Sequence, residues 1–226
     1  MSQIMSIAQE IININSELPS SARLVAVSKF HPAESVMEAY NAGQRIFGES
    51  RPQELSAKAP VLPSDIEWHF IGHLQTNKLK MVIPYVSLIH SVDSKRLLME
   101  INKYAVARGL KVNCLLELFV ATEESKQGFS QEELYEILDE VAENPLEGVE
   151  LCGLMGMASF TDDEDLIRSE FKKLSGVFNS VRTGYPDKFP NFNQLSMGMS
   201  NDYRIALEYG STLVRIGTRI FGERVY

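Results

Sequence analysis

Lys29 ends an apolar run, Leu24-Val25-Ala26-Val27-Ser28-Lys29-Phe30. Side chains alternate along a strand, so Val25, Val27 and Lys29 share one face. If that face lines an apolar interior, burial disfavours the ammonium form and leaves an amine able to attack a carbonyl. A lysine at a strand end can also snorkel its charge into water, and spacing alone does not separate the two readings.

A second candidate lies near the C-terminus, at Ser196-Met197-Gly198-Met199-Ser200-Asn201-Asp202, followed by a short helical pattern ending at Tyr209. Ser, Asn and Asp are preferred helix N-caps, Gly permits close backbone approach, and a helix start presents N–H groups to an anion. Beyond it comes Leu213-Val214-Arg215-Ile216-Gly217-Thr218, in which Arg215 and Gly217 share a strand face. A guanidinium and an exposed backbone amide can converge there on a phosphate. Taken singly, these pieces read equally well as a helix cap and a surface turn. Together, an amine nucleophile and a two-loop phosphate cradle suit a phosphorylated carbonyl compound.

Other chemistry-bearing residues point nowhere as sharply. His69 and His73 straddle a strand end and do not share a helical face, and no third ligand stands at a metal-binding spacing, so no metal site is expected. Residues 123–128 read as a mobile polar loop, and the acidic run 161–165 reads as a solvated helix cap. Cys114 and Cys152 sit in apolar runs and read as buried reduced thiols rather than a disulfide.

The elements that must position these residues alternate from end to end. Apolar runs at 24–30, 45–48, 67–71, 86–91, 112–120, 149–157, 193–197 and 212–216 read as strands. Between them, 32–41, 94–108, 131–143 and 164–181 carry helical patterns, and 4–16 reads as an extra N-terminal helix. Eight strands with helical crossovers predict an α/β fold, a single (β/α)8 barrel over residues 1–226. A doubly wound open sheet is the structural alternative. In a barrel, Lys29 falls at the carboxyl end of strand one, and the C-terminal candidates fall in the loops after strands seven and eight, a frequent phosphate site. Arg-Ile-Phe-Gly-Glu occurs at 45–49 and again at 219–223, too short a match to establish a repeat.

Composition sets the surroundings. A net charge of −8 gives no electrostatic reason to expect a nucleic-acid or anionic-membrane partner. No run approaches the roughly 20 apolar residues of a membrane span, and the N-terminus lacks a secretory pattern. A cytoplasmic location is expected; an oligomeric state is not predicted.

At Ala26-Val27-Ser28-Lys29 the chain resembles the pyridoxal phosphate homeostasis family. The likeness continues through Phe47-Gly48-Glu49, Trp68 to Gln75 with Asn77-Lys78, Gly153-Leu154-Met155, Leu195 to Ser200, Val214 to Thr218 and Phe221-Gly222. The resemblance implies a barrel of the alanine racemase N-terminal type, with pyridoxal 5′-phosphate (PLP) as cofactor in a Schiff base on Lys29. It places Ser200, Arg215, Gly217 and Thr218 around the cofactor phosphate. It further implies a carrier or regulator of intracellular PLP with no established catalysis, with apo PLP enzymes as possible partners. One departure is Ser50, where Phe-Gly-Glu is often followed by Asn. Two other functions compete: a PLP enzyme such as a low-rate amino-acid racemase, and a PLP-free Schiff-base lyase acting on a phosphosugar.

Overall fold

The computed structural model describes residues 6–121 and 127–222. Each apolar run becomes a strand: β1 (Arg23–Val27), β2 (Ile46–Glu49), β3 (Glu67–Phe70), β4 (Val86–Val92), β5 (Val112–Glu117), β6 (Val149–Met155), β7 (Gln194–Met199) and β8 (Leu213–Ile216). All neighbours are parallel, and β1 pairs on both sides, with Ala26 opposite Phe47 of β2 and Ile216 of β8. The sheet therefore closes into a barrel, and the doubly wound alternative falls.

Alternation along the strands sorts side chains into two cores. Val25, Ile46, Leu88, Leu115, Met155 and Leu213 fill the barrel interior. Ala26, Phe47, Phe70, Ile89 and Leu116 point outward and pack under the helices. These are α1 (Ile7–Glu17), α2 (Ala33–Asn41), α3 (Pro52–Lys58), α4 (Leu79–Val82), α5 (Lys95–Val106), α6 (Gln131–Glu143), α7 (Glu164–Gly184), α8 (Tyr203–Glu208) and α9 (Thr218–Phe221). Caps start the longer ones: Ser94 accepts from the Leu97 amide, and Ser130 and Glu133 form a reciprocal capping box. The acidic run is a cap as well, with Asp163 accepting from the amides of Asp165 and Leu166.

The added helix α1 buries Ile11 and Ile14 and is tied to α9 through Arg219, whose Nε donates to Glu10 at 2.9 Å and whose second amino group donates to Glu17 at 2.8 Å. Several expected boundaries move. β1 ends at Val27, two residues short of Lys29, and β5 ends at Glu117. The repeated pentapeptide is strand in its first copy and helix in its second, so the match carries no structural repeat. Residues 123–126 of the expected mobile loop, and Glu223 closing the second pentapeptide, lie outside the described residues. Among the described residues no helix is long and apolar enough to cross a membrane.

Candidate functional site

A cavity of about 650 Å³ opens at the carboxyl ends of the strands, and Lys29, Ser200, Arg215, Gly217 and Thr218 all line it. Three separate stretches of chain, expected from residue types alone to act together, meet at one mouth.

Lys29 reaches the cavity from a tight turn rather than from the strand itself. The carbonyl of Ser28 accepts from the amide of His31 at 3.1 Å, and Phe30 lies in the left-handed region at φ 67°. That conformation is uncommon for a bulky residue and marks a constrained backbone. His31, also in the lining, stacks on Phe221 with ring centroids 5.2 Å apart.

The loops opposite are closed on themselves. Asp202 accepts from the Met199 amide at 2.5 Å and its own amide donates back to Met199 at 3.2 Å, so Ser200 sits on a pinned bend. Gly198 adopts φ +93°, and a Cβ there would fall 2.6 Å from that of Ala206. A Cβ on Gly217 would meet the Val27 carbonyl at 3.0 Å, so glycine lets this loop lie against β1 beside the Lys29 turn. After β6, both the amide and hydroxyl of Ser159 donate to buried Glu170 of α7, each at 2.7 Å, which fixes the lining from Met157 to Asp162.

Arg215 is set deeper, at 5% exposure. One amino group donates to Ser196 Oγ at 2.5 Å and the other to the Gly156 carbonyl at 3.1 Å. Burial lowers its pKa to about 10, opposed by Asp202 and Glu117, so it remains cationic at neutral pH. Ser196 continues to His90 Nδ1 at 2.9 Å, and His90 Nε2 meets His69 Nδ1 at 2.9 Å. Burial holds His69 down to about 3 and His90 well below its ordinary range, so both rings are neutral. The donor order that wastes no hydroxyl hydrogen runs from Arg215 to Ser196, from Ser196 to His90, and from His90 to His69. Both histidines then carry their proton on Nε2. His73 stands apart, against Asp93 at 3.0 Å. Among the described residues no cluster of three or more metal-ligating side chains occurs.

Sequence reasoning missed His90 and Glu170, and it named Ser196 and Asp202 only as members of the phosphate segment, not as the partners of Arg215 and of the Met199 amide. His90 and Ser196 stand among apolar residues, and that context was their only signal: a buried polar side chain needs a partner, which pattern does not name. Glu170 stands among charged residues of a helical pattern and gave no signal.

The alanine racemase N-terminal domain model matches residues 4–225. The pyridoxal phosphate homeostasis protein of Aquifex aeolicus (strain VF5) is 41% identical over 206 residues, covering 91% of this chain and 88% of that one. The chain belongs to the pyridoxal phosphate homeostasis protein family. Among solved structures it is similar to PipY of Synechococcus elongatus with PLP bound, at 34% identity and TM-score 0.87, covering 96% of this chain and all of PipY. PipY without PLP superposes with a TM-score of 0.90. The alanine racemase of E. faecalis, 18% identical at TM-score 0.71, shares the fold, and this chain covers 57% of its length.

Proposed function

We propose that this family member binds PLP in its barrel mouth and serves intracellular PLP homeostasis as a cytoplasmic carrier or regulator, one barrel acting as one unit. The observation that carries the reading is the convergence of the five residues on one cavity. Support also comes from the PLP-bound PipY, which covers nearly the whole chain. The donor set fits such a cofactor: Lys29 supplies the amine for a Schiff base to its aldehyde. Ser200, Thr218 and the Gly217 backbone supply neutral donors for its phosphate, and Arg215 supplies a fixed cation. When bound, PLP brings an electrophilic carbon and an electron-withdrawing ring; the chain's own residues bind and orient it.

The carrier reading rests on the rim. Phe160 is 89% exposed and Met157 40%, so the described side of the mouth faces solvent. Proton abstraction from a bound amino acid needs a base within about 2.6–3.2 Å of it in a site shielded from water. Apo PLP enzymes are the partners such an open mouth would serve, and racemase or transaminase turnover is expected only at trace level.

Lys29→Ala is expected to abolish borohydride trapping of PLP while leaving the circular dichroism spectrum unchanged. Full trapping on another lysine would defeat the assignment. Mixing loaded protein with an apo PLP enzyme tests the carrier role, since recovered activity must outpace that obtained with equal free PLP. Exchange of the Cα proton of amino acids more than about a thousandfold faster than with free PLP would instead make the protein an enzyme.

A further inference from the structure

A second buried polar cluster lies on the far side of the barrel wall from the cavity, behind the Lys29 turn. Glu49, at the end of β2, is wholly buried, and Lys58, ending α3, nearly so. The Lys58 ammonium has three hydrogens and uses all of them. It donates to Glu49 Oε1 at 2.7 Å, to Glu54 Oε2 at 3.1 Å and to the backbone carbonyl of Ser28 at 2.9 Å. Glu54 Oε2 also accepts from the amide of Phe30 at 2.8 Å. The Ser28 hydroxyl donates to Glu49 Oε1 at 2.7 Å. The backbone groups flanking Lys29, the Ser28 carbonyl before it and the Phe30 amide after it, are therefore both held by one ionic cluster.

This arrangement is costly to assemble and is built nonetheless. Glu49 Oε2 has no hydrogen-bond partner among the described residues, and burial raises the pKa of its carboxyl despite Lys58. Replacing such a buried ion cluster with hydrocarbon is often neutral or stabilising, so stability alone is a weak account of it. Phe30 meanwhile occupies a left-handed conformation that a bulky residue keeps only where its surroundings impose it. The hydrogen bond to Glu54 and the Arg51 guanidinium, 5.2 Å over the Phe30 ring, belong to those surroundings.

We infer that Lys58, Glu49 and Glu54 are positioning residues that clamp the Lys29 turn from outside the barrel and so aim its amine into the cavity. None of the three lines the cavity. The inference rests on the reading of Lys29 as the cofactor lysine, and it adds that the geometry of that lysine is set by charges its ligand never meets.

The test uses the full chain with three variants. Lys58→Met combined with Glu49→Gln removes opposite charges together and keeps an acceptor for the Ser28 hydroxyl. Glu54→Ala removes the Phe30 acceptor at a less buried position, and Glu54→Gln restores one. Two readouts need no cofactor: hydrogen exchange at the Phe30 amide, and the pH profile of Lys29 acetylation by acetic anhydride, with exposed Lys173 as internal reference. The third is the rate of borohydride trapping of PLP on Lys29. Glu54→Ala is expected to exchange the Phe30 amide up to about tenfold faster, the loss of one hydrogen bond, and the double variant, in which Glu54 keeps that bond but loses Lys58, to exchange it faster than wild type by a smaller factor. Their Lys29 acetylation relative to Lys173 should depart from the wild-type ratio, and trapping should slow by roughly tenfold. Glu54→Gln should return most of each effect. Wild-type Phe30 exchange and wild-type Lys29 reactivity in folded Glu54→Ala would overturn the clamp, even if the double variant failed to fold. If the wild-type protein traps no PLP on Lys29, the cofactor reading fails, while exchange and acetylation still decide the clamp.

Discussion

The two faces of the barrel wall solve one problem with opposite chemistry. Inside, Arg215, Ser196, His90 and His69 form a string of hydrogen bonds with a single charge at one end. Outside, Lys58, Glu49 and Glu54 form a compact cluster in which every member carries charge. The inner string acts on a side chain, holding Arg215 where a ligand can meet it. The outer cluster acts on backbone, holding the peptide groups on either side of Lys29. A directional chain of neutral groups suits a cavity that must accept an anionic ligand, because it keeps one cation and adds no competing anion. Behind the wall, at residues that do not line the cavity, the stronger but costlier ionic contacts can stiffen a turn.

Removing the cation tests the inner face most severely. Arg215→Met is expected to weaken PLP binding tenfold to a hundredfold, corresponding to about 1.5–3 kcal/mol for a charge-assisted hydrogen bond. Ser200→Ala should fall at the lower end of that range. Competition with pyridoxal, which lacks the phosphate, sharpens the result. If these residues serve the phosphate, pyridoxal should bind poorly to the wild type and be nearly indifferent to either change. Equal losses for PLP and pyridoxal would move the residue away from the phosphate.

Glu117, at the end of β5, is the inner face's exception. It is buried, its Oε2 has no hydrogen-bond partner among the described residues, and burial raises its pKa from 4.5 to about 7, helped by Asp93 and opposed by Arg215. The fold therefore prefers the protonated acid. Its contribution to stability is complete below about pH 4.5, declines as pH rises toward 7, and is gone above that, a difference on the order of 3 kcal/mol. Glu117→Gln should remove this decline, making the variant more stable than wild type at pH 8 and little different at pH 4.5. Denaturant unfolding at both pH values measures it, and parallel curves for the two proteins would show that Glu117 titrates normally.

What could be read from sequence divides along the same wall. The convergence of Lys29 with the loops after β7 and β8 on one cavity was legible because their types are chemically distinctive and each stands at the end of an apolar run. β1 and β5 were legible because burial on both faces leaves near-continuous apolar residues, and the other strands were placed by their alternation with helical patterns. Neither polar network was legible. His90 and Ser196 lie 106 residues apart in the chain, and Lys58 and Ser28 lie 30 apart, so no local period links them. The pentapeptide of β2 and α9 shows the limit most directly: one string of residues folds as strand or helix according to what it packs against. The end of β1 was missed for a related reason. Ser28 continues the strand by type, but its hydroxyl and carbonyl are taken by Glu49 and Lys58, and the chain turns.

The smallest expected effect belongs to Ser196, and it tests whether the inner string is directional. Ser196 accepts from Arg215 and, in the order assigned, donates to His90 Nδ1. Both histidines should then be protonated on Nε2 and neutral. Nitrogen-15 shifts of the rings should report that tautomer and stay constant between about pH 5 and 8, where an ordinary histidine would titrate. Ser196→Ala leaves Arg215 short of one acceptor and His90 Nδ1 without its donor, at a cost of about 1–3 kcal/mol in stability. Arg215 keeps its bond to the Gly156 carbonyl, so PLP affinity should fall by less than in Arg215→Met. The histidine pair, no longer ordered from the Arg215 end, becomes free to reverse, and a second set of ring nitrogen signals should appear. A wild-type His90 protonated on Nδ1, or either ring titrating in that range, would refute the directional string while leaving Arg215 anchored where it is.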